Sequence, residues 1–140
     1  MQHTQLLGFM INHVARQLER HMAEALRPLG LRPAYLPVLL ILAESQPRTQ
    51  AELATVLDIR QPTMAQTLSR MERDGLITRT PSAHDRRSAS IHLTDKARGL
   101  THEVVDIGRR ISAEATRSLT PERRARLLED LGTIAADLAS

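Results

Sequence analysis

The side chains with the most chemical capacity cluster in two short stretches. One is Gln61-Pro62-Thr63, continued by Gln66, Ser69 and Arg70; the other is Asp85-Arg86-Arg87. Glutamine offers a donor and an acceptor side by side, which matches the adenine edge, and arginine matches guanine in the same bidentate way. An exposed arginine at a turn can enter a narrow, electronegative minor groove. Both stretches therefore suit nucleic-acid recognition better than catalysis. Other chemistries find less support. No cysteine is present, which removes disulfides and thiolate metal sites. Six histidines occur without an HExxH pattern; His13 and His21 sit two helical turns apart and read better as interface residues than as metal ligands. The six glycines form no phosphate-binding loop, and no nucleophile-elbow pattern occurs. We therefore expect no enzyme, no cofactor and no metal.

Positioning such groups is the task of the surrounding elements. Thr4–Leu26 carries a helical stripe of Leu7, Ile11, Val14, Leu18, Met22 and Leu26, closed by Pro28 and Gly30. A second helix is expected from Pro33 to just before Pro47, with an irregularity at Pro37. Thr49-Gln50-Ala51-Glu52 is a capping box opening a short helix over Gln50–Leu57. Asp58-Ile59-Arg60 is a turn, and Pro62 stands just inside a fourth helix, Gln61–Asp74, stopped by Gly75. In that helix Met64, Leu68 and Met71 fall on one face and must be core. The opposite face carries Gln61, Pro62, Thr63, Gln66, Ser69, Arg70 and Arg73.

Leu76–Thr80 and the alternating Ser88–Leu93 read as two strands around a polar loop. Asp85, Arg86 and Arg87 then sit at the tip of a hairpin. Thr94-Asp95 caps a long helix over Asp95–Ser118, with a stripe of Ala97, Leu100, Val104, Ile107, Ile111 and Ala115. Thr120-Pro121 opens the last helix, striped by Leu127, Leu131, Ile134 and Leu138. A short capped helix, a tight turn, a longer amphipathic helix and a hairpin describe a winged helix-turn-helix. The expected fold is mainly α, with a two-stranded β-wing and long helices at both termini. Residues 31–94 form the DNA-binding lobe; residues 1–30 and 95–140 form a helical dimerisation region of the same continuous domain.

Composition agrees. Apolar residues make up 41% of the 140, while Phe9 and Tyr35 are the only benzenoid rings, so the core is aliphatic. Between Arg60 and Arg98 eight cations face four anions, and all the basic residues of the chain but Lys96 are arginines. No apolar run approaches a membrane span, and no signal peptide is evident, so a cytoplasmic location without membrane contact is expected.

Three segments together resemble the MarR family of bacterial transcription regulators: Gln50-Ala51-Glu52-Leu53-Ala54; Met71-Glu72-Arg73-Asp74-Gly75-Leu76-Ile77-Thr78-Arg79; and Asp85-Arg86-Arg87 with Ile91-His92-Leu93-Thr94. The resemblance implies a homodimer that binds palindromic double-stranded DNA with the fourth helix and the wing. It implies repression, and release of DNA by a small aromatic or anionic effector. Carried over by position, the groove-facing residues are Gln61, Pro62, Thr63, Gln66 and Arg70, and the wing-tip pair is Asp85 with Arg87; Ser69 and Arg86, from the residue patterns above, complete the two candidate sets. An effector pocket would draw on Met10, His13 and Tyr35.

Dimerisation also follows from the stripes. One lobe of about 60 residues cannot cover three apolar helices, so a monomer would expose a large patch. Two other readings keep the same fold: an activator or anti-repressor without an effector, and a winged-helix protein–protein adaptor. The arginines Arg70, Arg86 and Arg87 favour DNA over the adaptor.

Overall fold

A computed structural model describes residues 2–45, 47–81 and 88–139. Six helices and a small sheet follow in the order α1 (Leu7–Leu26), α2 (Leu36–Glu44), β1 (Arg48–Thr49), α3 (Gln50–Leu57), α4 (Gln61–Arg73), β2 (Ile77–Pro81), β3 (Ala89–Leu93), α5 (Asp95–Ala115) and α6 (Pro121–Ala139). The helices at both ends of the chain flank a helix-turn-helix and its wing, as expected.

Local chemistry sets the boundaries. Thr49 Oγ1 accepts from the Glu52 amide at 3.2 Å and starts α3. Thr94 Oγ1 does the same for Ala97 at the start of α5, also at 3.2 Å. Thr120 Oγ1 accepts from the Arg123 amide ahead of Pro121. Between α3 and α4 the chain turns in three residues. Asp58 takes the left-handed region at φ 53°, and the Ile59 amide reaches back to the Ala54 carbonyl at 2.9 Å. Helix α4 ends in the same way on Gly75 (φ 77°), with the Leu76 amide on the Met71 carbonyl at 2.9 Å and the Gly75 amide on Glu72 at 3.1 Å. Glycine suits this position because a side chain there is strained by the backbone angle.

Four expectations need adjustment. The first helix breaks at Leu6, which is extended, leaving a 3₁₀ turn at His3–Gln5 ahead of α1. The second does not begin as an α-helix at Pro33: Pro33–Tyr35 is a 3₁₀ turn, and α2 starts at Leu36. Pro37 explains this, since it lacks an N–H and its ring would crowd the Pro33 carbonyl in a continuous α-helix. The sheet has three strands, because Arg48 and Thr49 pair with Ile91 and Ser90 on the free edge of β3. Finally, α5 stops at Ala115 rather than Ser118; Leu119 bonds back to the Thr116 carbonyl in a tight turn, and the residue before Pro121 must be extended.

One core joins these elements. Leu26, Tyr35, Val38, Leu42, Leu53, Met64, Leu68, Met71, Leu76, Ile77, Ile91 and Val104 are all fully buried in it. Helix α1 packs on α5, and α2 bridges α5 to the sheet. Helix α6 is different, since none of its described residues is buried. No single helix among the described residues is long and apolar enough to cross a membrane.

Leu68 has no exposed surface and lies at the centre of the face of α4 that enters the core. Leu68→Ala should destabilise the protein by about 2–5 kcal/mol, the usual cost of an unfilled core site. Urea unfolding followed by circular dichroism measures this directly.

Candidate nucleic-acid interface

Helix α4 has two faces. Met64, Leu68 and Met71 are each 0% exposed and fix its roll against the core. Pro62, Thr63, Gln66, Ser69 and Arg70 consequently point to solvent. Pro62, Thr63, Ala65, Gln66 and Ser69 line a shallow open concavity along the first two turns. Short side chains there let another surface approach closely, and Arg70 and Arg73 add positive charge further along. This is the shape and charge a helix needs to enter a major groove.

Gln61 is exposed as well, but its side chain is already engaged. Its Oε1 accepts from Gln50 Nε2 at 3.2 Å, and Gln50 Oε1 accepts from Arg79 Nη1 at 3.5 Å. Arg79 Nε lies 3.6 Å from Glu72 Oε1. Gln61 and Glu72 are three helical turns apart, so both lie on the edge of α4 that faces the wing strand β2. Thr49, Gln50, Gln61, Arg79 and Ser88 line the cleft between the helix-turn-helix and the sheet. The sequence patterns single out neither Gln50 nor Arg79 for this role; the three-turn spacing of Gln61 and Glu72 was the available signal. The wing-tip residues Asp85, Arg86 and Arg87 lie outside the described residues.

The far end of α4 is held by other partners. Lys96 Nζ donates to the Asp74 carbonyl at 2.9 Å, and Thr94 Oγ1 donates to the Gly75 carbonyl at 2.6 Å. Tyr35 donates its hydroxyl to Asp74 Oδ2 at 2.5 Å across 39 residues of sequence. Burial, and then this bond to a carboxylate, raise the Tyr35 pKa above its ordinary value. The Tyr35 hydroxyl holds the Asp74 carboxyl below its ordinary value, helped by Arg73, whose Nε is 3.7 Å from Oδ1; partial desolvation opposes them.

This corrects the placement of Tyr35 beside Met10 and His13. Tyr35 is 1% exposed and belongs to the core with Met22 and Leu26 at the C-terminal end of α1. His13 is exposed and lies well before Met22, about 14 Å along the helix. There it stacks on Phe9, with ring centroids 6.2 Å apart. Met10 shares that end, so the three residues do not come together. A crevice of about 60 Å³ between α1 and α5 is lined instead by Leu18, His21, Ile111, Glu114, Ala115 and Arg117. Among the described residues no three histidine or carboxylate side chains converge to hold a metal ion.

Residues 29–88, which include α2, α3, α4 and β2, match the model of the MarR family. The structure of the transcriptional repressor CouR bound to a 23-mer DNA duplex is 34% identical, with a TM-score of 0.85 over 94% of each chain. The chain belongs to the MarR family. A second DNA complex, that of the M. tuberculosis transcriptional regulator MOSR, is 31% identical with a TM-score of 0.77, covering 95% of this chain and 98% of that one. A MarR regulator from Methanosarcina mazei Go1 shares the fold at 21% identity, with a TM-score of 0.88 over 94% of each chain. The likeness to these MarR structures extends over the helices at both ends of the chain as well as the central lobe.

The Tyr35–Asp74 bond gives a pH dependence. The Asp74 pKa is depressed in the folded state, so its contribution is present above the ordinary carboxylate pKa of about 3.9 and is lost as pH falls through the lower folded value. Tyr35→Phe should lower Tm by a few degrees near neutrality. The gap to wild type should narrow as the melts are taken below the ordinary carboxylate pKa of about 3.9, because the unfolded chains then take up a proton that Asp74 in folded wild type resists.

Proposed function

We propose that this protein is a homodimeric, sequence-specific DNA-binding repressor that grips a palindromic operator with α4 and the wing. The observation that carries the reading is the division of α4. Its apolar residues are consumed by the core, which leaves Pro62, Thr63, Gln66, Ser69 and Arg70 presented together. The relatives CouR and MOSR, each above 30% identity, have been captured on DNA, and CouR is described as a repressor. In this reading Gln66 and Arg70 contact base edges, and Arg86 and Arg87 carry the wing into the minor groove with Asp85 ordering the turn.

The exposed apolar residues support a dimer. Leu127, Leu128, Leu131 and Leu138 on α6 are 40%, 60%, 39% and 80% exposed, and Leu7, Phe9, Ile11 and Val14 on α1 are also bare. A 19-residue helix with no fully buried residue gains little from packing within its own chain. A second copy across a two-fold axis would cover both helices and place two α4 helices about one DNA turn, roughly 34 Å, apart.

Release by a small aromatic or anionic effector belongs to the same reading, with the α1–α5 crevice as a candidate opening. A second reading, a regulator without an effector, is favoured by the commitment of Tyr35 to Asp74 and by the small size of that crevice. Melting the protein with a panel of aromatic acids separates the two: a raised Tm together with weakened DNA binding supports the effector, and no change supports its absence.

Selection of bound genomic fragments, followed by gel shifts over a salt series, tests the main proposal. Binding should weaken steeply as salt rises. Arg87→Ala should reduce affinity across many sequences, while Gln66→Ala should change base preference within the site. Sedimentation should give about twice the 15.6 kDa chain mass. Failure to enrich any sequence, or binding indifferent to salt, rules the proposal out.

A further inference from the structure

The contacts around Gln61 determine which end of its amide is available to a partner. Arginine can only donate hydrogen bonds. The Gln50 atom facing Arg79 must therefore be its oxygen, as it is, at 3.5 Å. That leaves the Gln50 nitrogen to face Gln61, and the Gln61 atom that receives it must be oxygen, as it is, at 3.2 Å. One guanidinium thus orients both amides, since exchanging O and N in Gln50 would set a donor against Arg79. Arg79 is only partly exposed, with 28% of its side chain accessible, and Glu72 holds its Nε side. Among the described residues nothing accepts from Gln61 Nε2.

We infer that the Arg79–Gln50 relay makes Gln61 a hydrogen-bond donor toward DNA, so that it selects a base presenting acceptors in the major groove. This inference rests on the DNA-binding reading above. Guanine offers O6 and N7 side by side, and thymine offers O4. Adenine is matched by a free glutamine through a donor and an acceptor together, but here Gln61 Oε1 is turned toward Gln50, so adenine N7 can still be met while its amino group faces no acceptor. Gln61 at the start of α4 therefore differs from Gln66, whose amide has no such constraint among the described residues. Gln50 is a positioning residue: it acts through Gln61. Arg79, on β2, ties the base preference to the placement of the wing strand.

The relay has a polarity that one substitution reverses. In Gln50→Glu the carboxylate still accepts from Arg79 but can no longer donate to Gln61. Gln61 must then turn its Nε2 toward the new carboxylate, and this rotation presents Gln61 Oε1 to the groove. A carbonyl there favours the amino groups of cytosine or adenine.

The test is selection from a randomised duplex pool with four full-length proteins: wild type, Gln61→Ala, Gln50→Glu and Arg79→Met. The position read by Gln61 is the one whose preference vanishes in Gln61→Ala. Wild type should prefer guanine or thymine there. Gln50→Glu should shift the ratio toward cytosine or adenine by at least about fivefold at that position, while the other positions keep their preferences. Arg79→Met, which frees the relay without adding charge, should raise adenine at the same position and guards against an effect of the new carboxylate alone. Circular dichroism confirms that each variant is folded. A wild-type preference for adenine at that position, an unchanged profile in Gln50→Glu, or no position affected by Gln61→Ala overturns the inference while leaving the regulator reading intact. A wild-type protein that enriches no sequence overturns the regulator reading and this inference with it.

Discussion

The insertion of Met64, Leu68 and Met71 into the aliphatic core is the contact on which the rest depends. These three side chains have no exposed surface, and together they set the rotation of α4 about its axis. Once that rotation is set, the helical period of about 3.6 residues decides what faces outward. Thr63, Gln66 and Arg70 need no mutual interaction to share a surface; they share it because their neighbours are buried. A rotation of α4 by one residue would bring polar side chains into the core, where an unpaired polar group is expensive.

Burial fixes the roll of α4, but its two ends are held by different parts of the molecule. At the N-terminus the side chains of Gln50, Arg79 and Glu72 link α3, α4 and the wing strand around Gln61. At the C-terminus Tyr35, Thr94 and Lys96 hold Asp74 and Gly75. Tyr35 lies in the connection from α1 to α2, and Thr94 and Lys96 open α5. The α1–α2 connection and the start of α5 thus touch one end of α4 directly. A change in how α1 and α5 sit would reach α4 through Asp74, whereas a change in the wing would reach it through Arg79. Neither route requires a long chain of intermediates.

Much of this was legible in the amino-acid order. Thr49 with Glu52, Pro62, Gly75, Thr94 and Thr120 each mark a helix end through their own backbone or side-chain chemistry, and the structure places the boundaries within a few residues of them. The apolar stripe of α4 identified its buried face correctly. Periodicity, however, tells only whether a side chain is buried, not what it touches. The bond between Tyr35 and Asp74 spans 39 residues and leaves no local pattern, so a lone aromatic residue near the first helices read as part of a pocket. Strand β1 has two residues, too few to alternate, and exists because β3 offers a free edge. Gln50 served equally well as an ordinary first-turn residue of α3. The tip of the wing, which sequence also placed, lies outside the described residues.

The proposed pairing of two α4 helices can be read on the DNA itself. Hydroxyl-radical footprinting of a bound fragment reports which sugars the protein shields, on both strands and at single-nucleotide spacing. A symmetric dimer using α4 should leave two matching protected stretches on one side of the duplex, with centres about one helical turn, roughly 34 Å, apart. One isolated stretch, or protection spread evenly without symmetry, would contradict it.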